Sequence, residues 1–187
     1  MNSDAVIWFL VIGSSLCGIA GIALVALRWI PGGPRLVEQV LGGQYVLLAL
    51  LCATGMLVGS LYMSEIADFI PCRFCWYQRI AAYPIVVILG FGLARRDRDA
   101  WFPAMTLAGI GLGLSLYHQA MERGIIEESS SCDPAAPCTL NWLDAVGVPF
   151  VTIPFMAMGC FVFILGLGLH ALHRTGEFAP ELTDEYS

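Results

Sequence analysis

Four of the seven cysteines form two close pairs, and paired thiols can carry out redox chemistry or bind a soft metal. Cys72 and Cys75 make a Cys-x2-Cys motif, and five residues separate Cys132 from Cys138. Three interpretations compete: a redox relay, two structural disulfides, or a zinc site with four cysteine ligands. A disulfide that closes so short a loop removes little entropy from the unfolded chain, so stability is a weak reason for two structural disulfides. The five-residue spacing of the second pair suits a zinc site less well than the Cys-x2-Cys spacing does. The residues around Cys75 favour the relay.

Those residues should activate Cys75 as a nucleophile. Cys75 lies four residues after Pro71, at the start of an apolar stretch where a helix is expected to begin. Arg79 lies one helical turn further on. The positive end of a helix dipole and a nearby guanidinium both stabilise a thiolate. We therefore predict that Cys75, rather than Cys72, is the thiolate that meets an electron acceptor. The alternative for Arg79 is an interfacial arginine that serves only topology.

The sequence has no motif for an internal electron acceptor. Residue 76 is Trp, so the Cys-x-x-Cys-His haem attachment is missing, and there is no glycine-rich dinucleotide fingerprint. A lipid-soluble quinone is then the simplest acceptor, and Arg79 could stabilise the negative charge that develops on it. His118 could belong to a proton path for quinol formation, or it could be an interfacial histidine bonded to Glu122.

The composition is that of an integral membrane protein. Of the 187 residues 58% are apolar and 13% are charged, whereas a soluble domain carries about 25% charged residues. Five spans of about 20 residues require about 100 residues. This composition argues against a soluble globular domain and a disordered chain. The net charge of −6 argues against a nucleic-acid partner.

Charge-poor windows locate five helices, and we predict an all-α, polytopic helix bundle. Four windows hold no charge, and a fifth holds only Arg79 near its start. The windows are Ala5 to Leu27, Gln39 to Ser64, Phe74 to Ala94, Ala100 to Met121 and Ala145 to His173.

Arginine placement predicts the orientation of the bundle. All nine basic residues are arginines, and three of them crowd the link after Ala94, which should therefore be cytoplasmic. The N-terminus then lies outside, the C-terminus lies inside, and both cysteine pairs lie in outer loops. This orientation places Arg28, Arg35, Arg95, Arg96, Arg98 and Arg174 inside, and Arg73 and Arg123 outside.

The other three cysteines and two further segments have simpler interpretations. Cys17, Cys52 and Cys160 fall near the middle of apolar helices, where cysteine commonly behaves as a small hydrophobic residue. The segment Leu140 to Val146 is expected to lie on the membrane surface, with Trp142 as an anchor. The acidic end, residues 175–187, is expected to be a solvated cytoplasmic tail.

Two motifs resemble a known family. The sequence from Pro71 to Arg79 resembles the Pro-Cys-x-x-Cys-x-x-x-Arg signature of the DsbB/BdbC disulfide-formation proteins. The stretch from Gly113 to His118, and on to Glu122, is similar to a Tyr-His segment in their later helix. The resemblance covers about residues 44–172.

The resemblance implies a four-helix enzyme of the bacterial inner membrane. Such an enzyme oxidises a secreted, thioredoxin-like dithiol of the DsbA type and passes the electrons to ubiquinone or menaquinone. By this resemblance, Cys72 and Cys75 are the quinone-coupled pair and Arg79 binds the quinone. Cys132 and Cys138 exchange with the partner, and Cys132 is expected to form the mixed disulfide.

The chain departs from that family in two respects. The helix predicted near the N-terminus is extra, so we divide the chain into residues 1–43, a four-helix bundle over residues 44–174, and the tail. The outer cysteines are also closely spaced, as in the BdbC-like branch.

Three other functions compete: an outward-directed thiol reductase, a vitamin K epoxide reductase-like relay, and a non-enzymatic scaffold with stapled or zinc-bound loops.

Overall fold

The computed structural model describes residues 3–128, 132, 136–147 and 150–177. Within these ranges the chain is all-α, as predicted, and contains no β-strand. A short 3₁₀-helix, Trp142–Val146, lies between the last two α-helices. The α-helices are α1 Ser3–Trp29, α2 Gly33–Leu41, α3 Tyr45–Glu65, α4 Arg73–Arg95, α5 Trp101–Glu122 and α6 Ile153–Glu177.

Two of the predicted windows have the wrong boundaries. The window that begins at Gln39 wrongly joins the end of α2 to α3. The two helices are separate because Gly42 and Gly43 take positive φ angles of 57° and 78° and end α2. The last window begins too early, since α6 starts only at Ile153. Glycine carries no charge, so a charge-free window cannot detect a break of this kind. Helix α6 continues to Glu177, so the first three residues of the predicted tail, 175–177, are helical, and residues 178–187 lie outside the described residues.

Four helices form the core, and α1 is added to its outside. Helix α4 packs between α3 and α5, while α6 packs on both α5 and α3 and so closes the bundle. Small buried side chains, such as Ala49, Ala82 and Ala108, let the core helices approach closely. Helix α1 packs mainly against α6. The predicted four-helix core with one additional N-terminal helix is confirmed.

Helices α1 and α6 run parallel and are in close contact. Gly18 lies beside Gly159, and further along both helices the ring of His170 contacts the carbonyl oxygen of Leu24 at 2.9 Å. A Cβ atom on Gly21 would lie 2.5 Å from the backbone nitrogen of Phe163. Only glycine therefore permits this separation of the two backbones.

Because α1 and α6 run in the same direction, the chain that connects them must cross the membrane an odd number of times. By length and hydropathy, four of the described helices can span a membrane, namely α1, α3, α4 and α6. If only α3 and α4 crossed between α1 and α6, then α6 would run antiparallel to α1. Helix α5 has 22 residues, which is about 33 Å, and it supplies the third crossing. The chain is a multi-pass membrane protein. Which side is cytoplasmic stays a prediction.

Substituting Gly21 by valine is expected to loosen α1 from α6. The added side chain would overlap backbone atoms of α6, and overpacking of this kind typically costs about 1–3 kcal/mol. Thermal unfolding of the purified protein measures the loss. The matched control is Gly13→Val in the same helix, where a Cβ atom would meet nothing within 4 Å. Equal destabilisation by both variants would contradict the prediction.

Candidate functional site

Helix α4 begins at the first cysteine pair. Cys72 is the N-cap residue, with extended backbone angles, and its sulfur accepts a hydrogen bond from the backbone N–H of Cys75 at 3.3 Å. The two sulfur atoms are 3.0 Å apart. The sulfur of Cys72 thus occupies the position that a serine or aspartate oxygen usually fills at a helix start. The Cys-x2-Cys spacing makes this cap, because residue N3 of the helix is Cys75.

This geometry stabilises a thiolate on Cys72. The hydrogen bond from the Cys75 thiol lowers the pKa of Cys72 to about 4, and the hydrogen bond and charge of His118 act in the same direction against the effect of burial. Our prediction had given the thiolate to Cys75. The capping geometry favours Cys72 instead, because the backbone N–H of Cys75 donates to its sulfur.

The ionisation of Cys72 can be tested directly. With both thiols reduced, Cys72 is expected to be a thiolate at neutral pH and to become protonated only as the pH falls through about 4. Ultraviolet absorbance of the thiolate, taken as the difference between the parent and Cys72→Ser, measures this titration. His118→Ala should move the midpoint upward. A midpoint near 8.5, the value of an ordinary cysteine, would contradict the prediction.

His118, on α5, links the two cysteine pairs. Its Nε2 atom lies 3.6 Å from the sulfur of Cys72 and 3.0 Å from the carbonyl oxygen of Cys138. The ring is buried beside Phe74, with ring centroids 5.7 Å apart. Its Nδ1 atom has no hydrogen-bond partner among the described residues, and neither does Oε2 of Glu122. The interpretation of His118 as a histidine bonded to Glu122 is therefore wrong.

The outer pair, Cys132 and Cys138, is a disulfide. A zinc site with four cysteine ligands is therefore excluded, since two of the four sulfurs are bonded to each other. Cys138 is fully buried, whereas Cys132 is partly exposed. Glu128 fixes the loop, because its carboxylate accepts a hydrogen bond from the backbone N–H of Cys138 at 2.7 Å.

The two cysteine pairs meet in one apolar cluster. Cys72 and Cys138 are buried together, and Cys75 and Cys132 pack against the same cluster. The pairs are about 60 residues apart in sequence, and the fold brings them into one cluster at the end of the bundle where α4 begins and α5 ends.

A cavity of about 440 Å³ opens on the other side of Cys75. Helices α1, α3, α4 and α6 form its walls, and most of its lining is apolar. Both Cys75 and Arg79 line this cavity, whereas Cys72 does not. The first pair therefore has two directions of contact: Cys72 faces His118, and Cys75 faces the cavity.

Arg79 is held inside the protein and does not reach out to water. Only 8% of it is exposed, and its guanidinium donates to the hydroxyl of Ser60 at 2.8 Å and to the backbone oxygen of Ser60 at 2.9 Å. The guanidinium also lies 5.0 Å from the ring centroid of Trp76, a cation–π distance. The alternative of a purely topological, snorkelling arginine does not fit this burial.

The segment before α6 also contributes to the cavity. Trp142, expected to be a surface anchor, stacks on Phe69 with ring centroids 5.4 Å apart and lines the cavity. The adjacent Leu143 is fully buried. The 3₁₀-helix thus packs into the protein.

The three cysteines in the apolar helices are not independent of one another. The sulfur atoms of Cys17, Cys52 and Cys160 all lie within 4.8 Å of one another, and all three residues line the cavity. Each comes from a different helix, α1, α3 and α6. Sequence spacing could not reveal this cluster, because it depends on how three helices are rotated against each other. The only signal was that each cysteine lies near mid-helix.

A membrane helix bundle with two adjoining cysteine pairs at one end belongs to the class of membrane disulfide oxidoreductases. Within this class, the chain belongs to the DsbB family of disulfide bond formation proteins, whose family model matches residues 43–172. The match begins after α2, so α1 and α2 are additions to the family fold.

Curated relatives agree with this assignment. The probable disulfide formation protein of Oceanobacillus iheyensis is 38% identical over 66% of this chain and 85% of its own length. The probable disulfide formation protein C of Halalkalibacterium halodurans is 39% identical over 68% and 89% of the two chains. The SPbeta prophage-derived disulfide bond formation protein B of Bacillus subtilis is 38% identical over 70% and 86%. No solved structure matches the chain significantly.

Proposed function

We propose that the protein oxidises a secreted, thioredoxin-like dithiol protein of the DsbA type and passes the electrons to a membrane quinone. It acts in the bacterial cytoplasmic membrane, with the N-terminus and both cysteine pairs outside and the C-terminus inside. Residues 44–174 carry the reaction, residues 1–43 add a helix to it, and residues 175–187, of which 175–177 still belong to α6, lie in the cytoplasm. The observation that carries the proposal is the division of labour at the start of α4. Cys72 lies beside His118, which also contacts the backbone of Cys138, and Cys75 lines the cavity.

The partner enters at Cys132. Because Cys138 is fully buried and Cys132 is not, an incoming thiolate has access to the sulfur of Cys132. Attack there forms a mixed disulfide and releases Cys138 as the leaving thiolate. The second thiol of the partner then displaces Cys132, so that the partner leaves as a disulfide and the outer pair is left as a dithiol.

The electrons next pass to the first pair. The sulfur of Cys138 attacks Cys72 in an oxidised Cys72–Cys75 pair, which breaks that bond and frees Cys75 on the cavity side. Cys132 then attacks Cys138, re-forms the outer disulfide and releases Cys72. His118, between Cys138 and Cys72, is placed to hold a proton during this exchange. The charge of His118 favours the release of Cys72 as a thiolate.

The cavity suits a quinone in size and chemistry. Its volume falls in the range of small-molecule pockets, its walls are mostly apolar, and Arg79 adds a buried cation beside Cys75. A quinone bound there would supply the acceptor for the two electrons and two protons released when Cys72 and Cys75 re-form their disulfide. The roles of Arg79 are to orient a polar oxygen and to stabilise negative charge near Cys75.

One experiment separates the proposal from two of the competing functions. A scaffold predicts no turnover, whereas a reductase predicts electrons flowing outward. Cys17, Cys52 and Cys160 are far apart in sequence but converge in the structure, so their sequence spacing gives no argument against a reductase. Purified protein is therefore mixed with a reduced thioredoxin-like dithiol protein and a soluble quinone analogue. Quinol formation, followed by absorbance, should match partner disulfide formation one to one. Absence of quinol, or net reduction of an oxidised partner, would overturn the proposal.

A further inference from the structure

The mid-membrane cysteine cluster is built from three helices at similar depth. Cys17, Cys52 and Cys160 stand near the middle of α1, α3 and α6, and their three sulfur atoms lie within 4.8 Å of one another. Cys17 and Cys52 are partly exposed and Cys160 is buried. The DsbB family match begins at residue 43, so Cys17 belongs to the additional helix.

The separation of the sulfurs fits a shared metal ion. A metal–sulfur bond of about 2.3 Å in a trigonal arrangement places the ligand sulfurs about 4 Å apart. Thiolates are soft donors and select soft ions such as Cu(I) over Mg²⁺ or Ca²⁺. A disulfide needs only two cysteines and would leave the third without a role. Three sulfurs that converge from three helices are a complete donor set for one ion.

The cluster also has an entry route. All three cysteines line the cavity that Cys75 and Arg79 line, so an ion can reach them without unpacking the core. Each thiol that binds as a thiolate releases one proton, so binding of the ion should be accompanied by proton release.

We propose that Cys17, Cys52 and Cys160 form a binding site for a soft monovalent metal ion of the Cu(I) type. The site is separate from both redox pairs and does not depend on the proposed quinone reaction. It ties the additional helix α1 to α3 and α6 through one ion.

Metal competition on the oxidised protein tests this site. With both redox pairs held as disulfides, the mid-helix cysteines are the three remaining thiols, and alkylation of the denatured protein counts them. Cu(I) is supplied from a chromophoric chelator, and its transfer is followed by absorbance. We expect one Cu(I) per protein with sulfur-only coordination by X-ray absorption. Cys160→Ser and Cys17→Ser should each weaken binding at least about 100-fold.

Three controls keep the test decisive. Ser14→Ala, one turn from Cys17 on the same cavity wall, should bind Cu(I) as the parent does. A double variant Cys72→Ser, Cys75→Ser should also bind it, which separates this site from the first pair. Helical content by circular dichroism shows that each variant is folded. No bound Cu(I), unchanged affinity in Cys17→Ser, or fewer than three free thiols because two have formed a disulfide would each overturn the proposal.

Discussion

Cys75→Ser is expected to stop quinol formation almost completely, with a loss of at least about 10³-fold in turnover. Without Cys75 there is no Cys72–Cys75 disulfide for Cys138 to attack, and no sulfur of this pair faces the cavity. The outer disulfide is untouched, so one equivalent of partner dithiol should still be oxidised. Quinol absorbance measures the first effect, and alkylation of the released outer thiols measures the second.

The single equivalent distinguishes a broken relay from a misfolded protein. Thr106→Ala is the control for expression and handling, because this exposed hydroxyl on α5 bonds only to its own helix at Phe102. It should turn over at the parent rate. If Cys75→Ser retained more than about a tenth of the parent rate, Cys75 would not be the residue that faces the acceptor.

Arg79→Ala is expected to raise the KM for quinone about 10- to 100-fold and to leave the KM for the partner protein unchanged. Hydrogen bonds to a charged group contribute about 1.5–3 kcal/mol, which corresponds to that range. The residue is buried on the cavity wall, whereas the partner reacts at Cys132. Steady-state kinetics with each substrate varied in turn separates the two KM values.

Two variants sharpen the result. Arg123→Ala removes another arginine near the same end of the bundle, whose guanidinium donates to the backbone oxygen of Phe150 and is exposed. Its quinone KM should stay at the parent value. Arg79→Lys keeps the charge but loses the planar fork that reaches Ser60 twice, so it should fall between parent and alanine. A quinone KM within twofold of the parent in Arg79→Ala would return this residue to a structural role.

Those parts of the fold that depend on local sequence could be predicted. Charge is expensive inside a bilayer, so the charge-poor windows marked the long helices, and four of the five windows contain a helix long and apolar enough to span. Helical periodicity also placed Cys75 and Arg79 four residues apart on one face, and both line the cavity. Where glycine or a turn ends a helix without a charge, as at Gly42, the windows gave no signal.

Those parts of the site that depend on long-range packing could not be predicted. No spacing rule brings Cys72 and Cys138 to the same histidine, because this requires α4, α5 and the loop after α5 to be assembled first. The predicted thiolate on Cys75 rested on a helix that begins there, whereas the helix begins at Arg73 and leaves Cys72 as its cap. The cluster of Cys17, Cys52 and Cys160 depends on the rotation of three helices.

The parallel packing of α1 on α6 has a consequence for biogenesis. Synthesis runs from the N-terminus, so α1 enters the membrane first, while the helix that fits against Gly18 and Gly21 is made last. Until α6, Ile153–Glu177, has been inserted, the face of α1 that carries Gly18 and Gly21 cannot make its contacts with α6. The cavity also lacks its α6 wall until then. The cavity is therefore completed only at the end of translation, when α1, the first helix to be made, packs against α6, the last one.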